Sequence, residues 1–299
     1  MLKKRLIAGF AMTFGMLALL LADASLASLL PVPFYPFLFC FSMVAGYLAV
    51  VEMVGLIAEP NRPLVWVCAV GVLSLFVSHF YQAAASAYPG FRHNDPTSWS
   101  LQAYLGGGFV LMAFLVEMYR YRATGHSIAK IAHSLLVVAY LGVLPSFFMK
   151  LRWLTVPDWP NTTGLMLALG IFVPKIGDVA AFFVGRFFGR NKVTPLLSPK
   201  KTWEGFLGSF GGSLFAAYFF HLFGPVFRGG WLEATLFGIA IGFVGFLGDL
   251  AESLIKRDGN RKDASQSVPG FGGLLDVFDS VIFAGPATYL WFTVMYGLI

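Results

Sequence analysis

The chain has 299 residues, of which 58% are hydrophobic and 12% charged, with a mean hydropathy of +0.74 and a net charge of +6. Soluble domains average about 45–50% apolar and about 25% charged residues, so an ordinary water-soluble enzyme or binding module is excluded and an integral membrane protein remains. Cys40 and Cys68 both lie in apolar runs, where a cysteine acts as a small hydrophobe and says little about redox compartment.

A helix of about 17–25 apolar residues crosses a bilayer, and nine runs of that kind are predicted in chain order: Leu6–Leu21, Phe34–Leu56, Leu64–Ala85, Tyr104–Met118, Ile131–Met149, Leu165–Phe187, Phe206–Phe223, Leu232–Leu254 and Leu274–Tyr296. The fold class is therefore all-α and polytopic, with about nine transmembrane helices and a cytoplasm-facing polar site. Lys3, Lys4 and Arg5 followed by an apolar run and Ala22-Asp23-Ala24 also match a signal peptide; we read the segment as a retained helix. Residues 1–160 hold about five spans without a dense polar cluster, and residues 161–299 hold about four spans and the motif loops 186–205 and 255–273, which makes the second half the catalytic region.

Placing the N-terminus inside puts sixteen of the 21 basic residues on inner segments, the asymmetry that insertion into a bacterial-type inner or cell membrane produces. The positive net charge thus reflects topology and implies no nucleic acid. Both motif loops face the cytoplasm in this orientation, where a soluble nucleotide reaches them.

Charges inside apolar spans are costly and mark functional candidates. The sixth span carries Lys175 and Asp178, three residues apart, either a neutralising pair or a substrate contact. In the eighth, Asp249, Glu252, Ser253 and Lys256 stand at i, i+3, i+4 and i+7 and project from one face. Taken alone this stripe reads equally as a self-satisfied network or a ligand site. The neighbourhood decides for a ligand: Arg257, Arg261, Lys262 and Asp263 follow, then Pro269-Gly270-Phe271-Gly272-Gly273 turns the chain and leaves unhindered amides at the start of the ninth span, a setting that attracts phosphate. Asp276 and Asp279 occupy its first turn. A dipole effect of about 0.3–1 kcal/mol does not account for two carboxylates at membrane depth, whereas Mg²⁺ binds through one or two carboxylates alongside phosphates. A second cluster runs from Asp178 through Arg186 and Arg190 to Ser198, Lys200, Lys201, Thr202 and Glu204, with hydroxyl and ammonium donors for phosphate oxygens and with Thr202 as a helix cap. No GxxxxGK[ST] run is present, so this is not a P-loop site.

These segments together resemble the phosphatidate cytidylyltransferase family, the CDP-diacylglycerol synthases. Ser253-x-x-Lys256-Arg257, four residues, Lys262-Asp263, a variable stretch, then Pro269 to Asp279 follow that family's signature without insertion or deletion, and Gly248-Asp249-Leu250 and Ser198 to Gly205 are similar to further family segments. The chain departs from the pattern at Phe271 for His, Val277 for Arg and Phe182 for Tyr. What the resemblance implies is transfer of cytidylyl from CTP to phosphatidate in the bilayer, with Mg²⁺ as cofactor, a monovalent cation as its candidate companion, and a second copy of the chain as a candidate partner. Asp249 and Asp276 are the implied metal ligands, with Asp279 either a third ligand or an acid behind them; Lys256, Asp279 and Asp178 are the implied catalytic groups. Lys200, Lys201, Arg257 and Lys262 would neutralise phosphate charge, while Ser198, Thr202, Glu204, Glu252, Ser253, Asp263, Gly272 and Gly273 would bind or orient substrate. Two other classes share the same residues: a CTP-dependent kinase acting on a polyprenol or phytol, and a transporter whose path runs past Lys175, Asp178, Asp249 and Glu252.

Overall fold

Each of the nine apolar runs folds as helix, and the spans separate at the turns and charged loops where hydropathy drops. The structure, a computed structural model, describes residues 2–27, 29, 35–86, 99–122, 124–154, 162–224, 226–268 and 272–297. In order these form α1 Leu2–Ala27, α2 Pro36–Leu56, α3 Val65–Ser86, α4 Ser100–Arg120, α5 Ser127–Val138, a π-helical segment Ala139–Val143, α6 Leu144–Arg152, α7 Thr163–Phe188, β1 Lys192–Thr194, β2 Ser198–Thr202, α8 Trp203–Phe223, α9 Gly230–Asp258 and α10 Leu274–Met295. Among the described residues eight stretches are long and apolar enough to cross a membrane, α5 to α6 counting as one, and α1 adds the shorter apolar stretch Phe14–Leu26. The protein is thus an all-α polytopic membrane protein, with one small hairpin that the apolar runs do not announce. At about 1.5 Å per residue, the 29 residues of α9 span about 43 Å, more than the roughly 30 Å of hydrocarbon.

The chain divides into two compact units, Met1–Trp153 with Asp263–Val277, and Leu154–Lys262 with Phe278–Ile299. In the first unit Asp23, buried near the end of α1, accepts hydrogen bonds from the Phe37 and Leu38 N–H groups at 2.9 and 2.6 Å. It thereby caps the start of α2, where Pro36 lacks a donor of its own. The π segment ends two residues before Pro145 and contains Leu141, the residue four back whose carbonyl the proline ring would meet in a regular α-helix; the wider turn relieves that clash.

The second unit is built on small residues, because lipid offers no hydrophobic force between helices and close contact supplies the attraction. A Cβ on Gly177 of α7 would lie 2.5 Å from Ser213 Oγ of α8, and one on Gly212 of α8 would lie 2.6 Å from the Ile176 carbonyl oxygen of α7. Along α9, Gly238, Gly242, Gly245 and Gly248 form one stripe, which meets Leu214 and Ser213 of α8, Pro174 of α7 and the Asp279 carbonyl of α10 in turn. The same stripe continues into Glu252, so the glycines bring the polar end of α9 against its neighbours.

The hairpin follows α7 directly. β1 and β2 are antiparallel, pairing Lys192 with Thr202 and Thr194 with Ser198. Thr202 then starts α8, its Oγ1 accepting the Gly205 N–H at 3.1 Å, as the sequence led us to expect of that residue. Strand alternation turns Lys201 inward and leaves Lys200 exposed.

Replacing Gly248 by Val would set a Cβ 2.6 Å from the Asp279 carbonyl oxygen, and overpacking of this kind costs about 1–3 kcal/mol. The expected outcome is a clear fall in the thermal unfolding midpoint in detergent, while Gly106→Val in α4, where nothing lies within 4 Å of the new Cβ, leaves the midpoint within a degree or two.

Candidate active site

In the second unit the charged side chains of α7, α9 and α10 and of β2 converge. Asp249 and Glu252 stand one turn apart on α9, and Asp279 comes from the first turns of α10. One carboxylate oxygen from each lies within 4.8 Å of the other two. Glu252 is fully buried, Asp279 is buried and Asp249 half-buried. Carboxylates this close repel one another and are held by cations: Lys201 Nζ lies 2.8 Å from Asp249 Oδ2, and Lys256 pairs with Glu252 one turn along α9. Lys201 also lies over the Phe246 ring, 4.7 Å from its centroid, a position that fixes the ammonium by cation–π attraction.

Lys175 takes the third acid. Its Nζ lies 2.7 Å from Asp279 Oδ1 and 3.3 Å from Asp178 Oδ2, so the pair within α7 is present and Lys175 also bridges to α10. Ser280 completes it: its hydroxyl donates to Asp178 Oδ2 at 2.6 Å, and its N–H donates to Asp279 Oδ1 at 2.6 Å. Four carboxylates, Asp178, Asp249, Glu252 and Asp279, thus meet three lysines, Lys175, Lys201 and Lys256.

Other expected site residues stand outside this group. Arg257, exposed, donates from Nε to the Leu197 carbonyl at 3.2 Å and from a terminal nitrogen to the Arg261 carbonyl at 3.0 Å, tying the hairpin turn to the end of α9. Glu204 accepts from the Arg190 and Asn191 N–H groups and the Asn191 amide and so holds the entry to β1. Lys200 and Lys262 are exposed, Ser198 is half-buried and Ser253 buried.

In the first unit the turn before α10 is closed by carboxylates. Asp276 Oδ2 accepts the Ala264 N–H at 2.9 Å and the Gly273 N–H at 2.6 Å, and the Leu274 and Leu275 N–H groups donate to Glu52 of α2. Among the described residues the Gly273, Leu274 and Leu275 amides at the start of α10 are therefore engaged, because acids of the chain itself reach the positive end of the helix. The two glycines make this approach feasible. Gly272 has φ +112°, a Cβ there would lie 2.6 Å from Asp276 Oδ2, and one on Gly273 would lie 2.5 Å from Glu52 Oε2. Asp263 lies beside Gly272 and is exposed. Pro269, Gly270 and Phe271 fall outside the described residues.

An oxygen-only cluster of three acids is the donor set of a hard divalent cation. A helical membrane protein that surrounds such a set with lysines has the makings of a metal and phosphate site. The chain belongs to the cytidylyltransferase family, whose model matches residues 3–295. It is 37% identical over 186 residues to a Synechocystis sp. protein named phosphatidate cytidylyltransferase, covering 54% of this chain and 62% of that one. It is 34% identical over 181 residues to a Staphylococcus epidermidis protein of the same name, covering 60% and 66%, and 36% identical over 183 residues to phosphatidate cytidylyltransferase 4, chloroplastic, of Arabidopsis thaliana, covering 54% and 45%. The chain therefore spans between about half and two-thirds of the length of these relatives.

Lys175→Met would leave Asp178 and Asp279 facing each other without their shared cation. These side chains are partly exposed, so the expected loss falls between the ~1 kcal/mol of a surface pair and the ~3–5 kcal/mol of a buried one. Thermal or denaturant unfolding in detergent should show that loss, and adding Asp178→Asn should recover part of it.

Proposed function

We propose that the protein transfers cytidylyl from CTP to phosphatidate, forming CDP-diacylglycerol and pyrophosphate. The observation that carries this reading is the acid and lysine cluster of Asp249, Glu252, Lys256 and Asp279, lying on the very segments whose spacing follows the phosphatidate cytidylyltransferase signature. The N-terminus and the cluster face the cytoplasm in this proposal, which the distribution of Lys and Arg supports.

An oxygen of the phosphatidate phosphate attacks the α-phosphorus of CTP, the bond from that phosphorus to the bridging oxygen breaks, and pyrophosphate leaves with the electron pair. A phosphate monoester with a second pKa of about 6 is largely dianionic near neutral pH, so no general base is required, and Phe271 in place of a histidine removes nothing essential. What the protein must supply is position and positive charge. Asp249, Glu252 and Asp279 fit a magnesium ion by donor type and spacing; bound there, it would contribute neutralisation of the triphosphate. Lys201 and Lys256, which pair with Asp249 and Glu252, would give their ammonium groups to phosphate oxygens, with Lys200, Arg257 and Lys262 adding charge. Lys175 holds Asp178 and Asp279 in register, and Ser280 fixes their oxygens. Asp276, the other acid that the family pattern implies as a ligand, is proposed to act from the turn that it closes with Ala264 and Gly273. Ser198, Thr202, Glu204, Ser253 and Asp263 are proposed to orient substrate through the hairpin and the end of α9.

Purified protein given CTP, phosphatidate and Mg²⁺ should release pyrophosphate and form CDP-diacylglycerol in equal amounts, with EDTA abolishing both. Asp249→Asn and Asp276→Asn should each lower turnover by about a hundredfold or more, the scale set by loss of a transition-state electrostatic group, in protein that remains folded. Phe271→His should turn over at least as fast as the parent. Parent-like turnover in Asp249→Asn would remove the metal role assigned to that residue.

A further inference from the structure

Glu52 lies near the end of α2, in a half of the chain whose sequence carries no motif, yet it accepts four hydrogen bonds. Its Oε1 accepts from the Ser265 hydroxyl at 2.7 Å, the Ser267 hydroxyl at 2.5 Å and the Leu274 N–H at 3.0 Å, and its Oε2 accepts from the Leu275 N–H at 2.9 Å. The residue is buried, 8% exposed. A buried carboxylate needs donors or a cation to offset lost hydration; here two hydroxyls and the positive end of α10 supply them. The contacts fall on both sides of the Pro269 to Gly273 segment, two before it and two after. Ser267 adds a local lock, its N–H donating to Ser265 Oγ at 3.0 Å.

We infer that Glu52 is a positioning residue for the proposed transfer: it sets the turn that carries Asp276 and the paired glycines. This inference rests on the reading of the protein as a cytidylyltransferase. Asp276 and Glu52 divide the amides between them, Gly273 going to Asp276 and Leu274 and Leu275 to Glu52. Removing Glu52 takes this acceptor from all four donors, three on Oε1 and one on Oε2, and frees the first turn of α10 to shift, so the Asp276 carboxylate loses its fixed place. Gly273 then has a stated function: the Cβ of any other residue would lie 2.5 Å from Glu52 Oε2. Substituting the glycine and substituting the glutamate should disturb the same turn from its two sides.

The test uses the full chain in detergent or nanodiscs, with Glu52→Ala, Glu52→Gln and the double variant Ser265→Ala/Ser267→Ala. Amide hydrogen exchange in peptides covering 272–280 reads the turn, with peptides from 203–223 as the control. Turnover is followed against CTP and Mg²⁺ concentrations. Glu52→Ala should raise exchange in 272–280 by about tenfold or more with 203–223 unchanged, lower turnover at least tenfold, and raise the Mg²⁺ concentration for half-maximal rate. Glu52→Gln, which keeps an acceptor oxygen for one side of the site, should show smaller effects in the same order. If Glu52→Ala fails to fold, the serine variant decides, with raised exchange and a raised Mg²⁺ requirement expected. Exchange unchanged at 272–280 in every folded variant would overturn the inference, as would a turnover loss with no change in Mg²⁺ requirement. A parent protein without cytidylyl transfer would instead sink the functional reading, and the exchange data would still decide what Glu52 holds.

Discussion

Charge neutralisation among apolar helices is the constraint on which the second unit depends. Asp178 and Lys175 sit in α7, Asp249 and Glu252 in α9, and Asp279 in α10, all in helices whose other residues favour lipid or protein interior. None of these side chains can stand alone there. Lys175 ties α7 to α10, Lys201 ties the hairpin to α9, and Lys256 covers Glu252 within α9. The glycine stripe of α9 and the small residues of α7 and α8 follow from the same need, since the ion pairs form only if the backbones come close. The hairpin has its place in this scheme too: a regular helix after α7 would not turn Lys201 back toward Asp249.

A cluster held together in this way is suited to exchange. Each lysine neutralises a carboxylate that a divalent cation can also neutralise, and each ammonium is equally a partner for phosphate. Catalysis of phosphoryl chemistry by position and charge needs no more than that, and this is why the proposal survives the departures at Phe271 and Val277. A mechanism built on an imidazole at position 271 would not.

Hydropathy made the spans legible: every apolar run became a helix, and ends differed by a few residues where helices continue into polar turns. Spacing made the α9 stripe legible, because Asp249, Glu252 and Lys256 lie within two turns and the pairing of Glu252 with Lys256 is local. What was not legible depends on long-range contact. Lys175 reads as the partner of Asp178 but also holds Asp279, 104 residues away. Glu52 is a single acid in an apolar run, and its partners are more than 200 residues along the chain. The Leu274 and Leu275 amides at the start of α10 are engaged for the same reason, since the acid that takes them gives no local signal. The hairpin was missed because Lys192 to Thr202 is short and polar, and its role lies in where it points one lysine.

The most direct measurement is the fate of labelled CTP phosphates in a reaction with phosphatidate and the purified protein. CTP labelled at the α-phosphate should pass its label to the lipid, and CTP labelled at the γ-phosphate should pass its label to pyrophosphate. Label from the γ-phosphate appearing in lipid, with CDP released, would contradict cytidylyl transfer and identify phosphoryl transfer in its place.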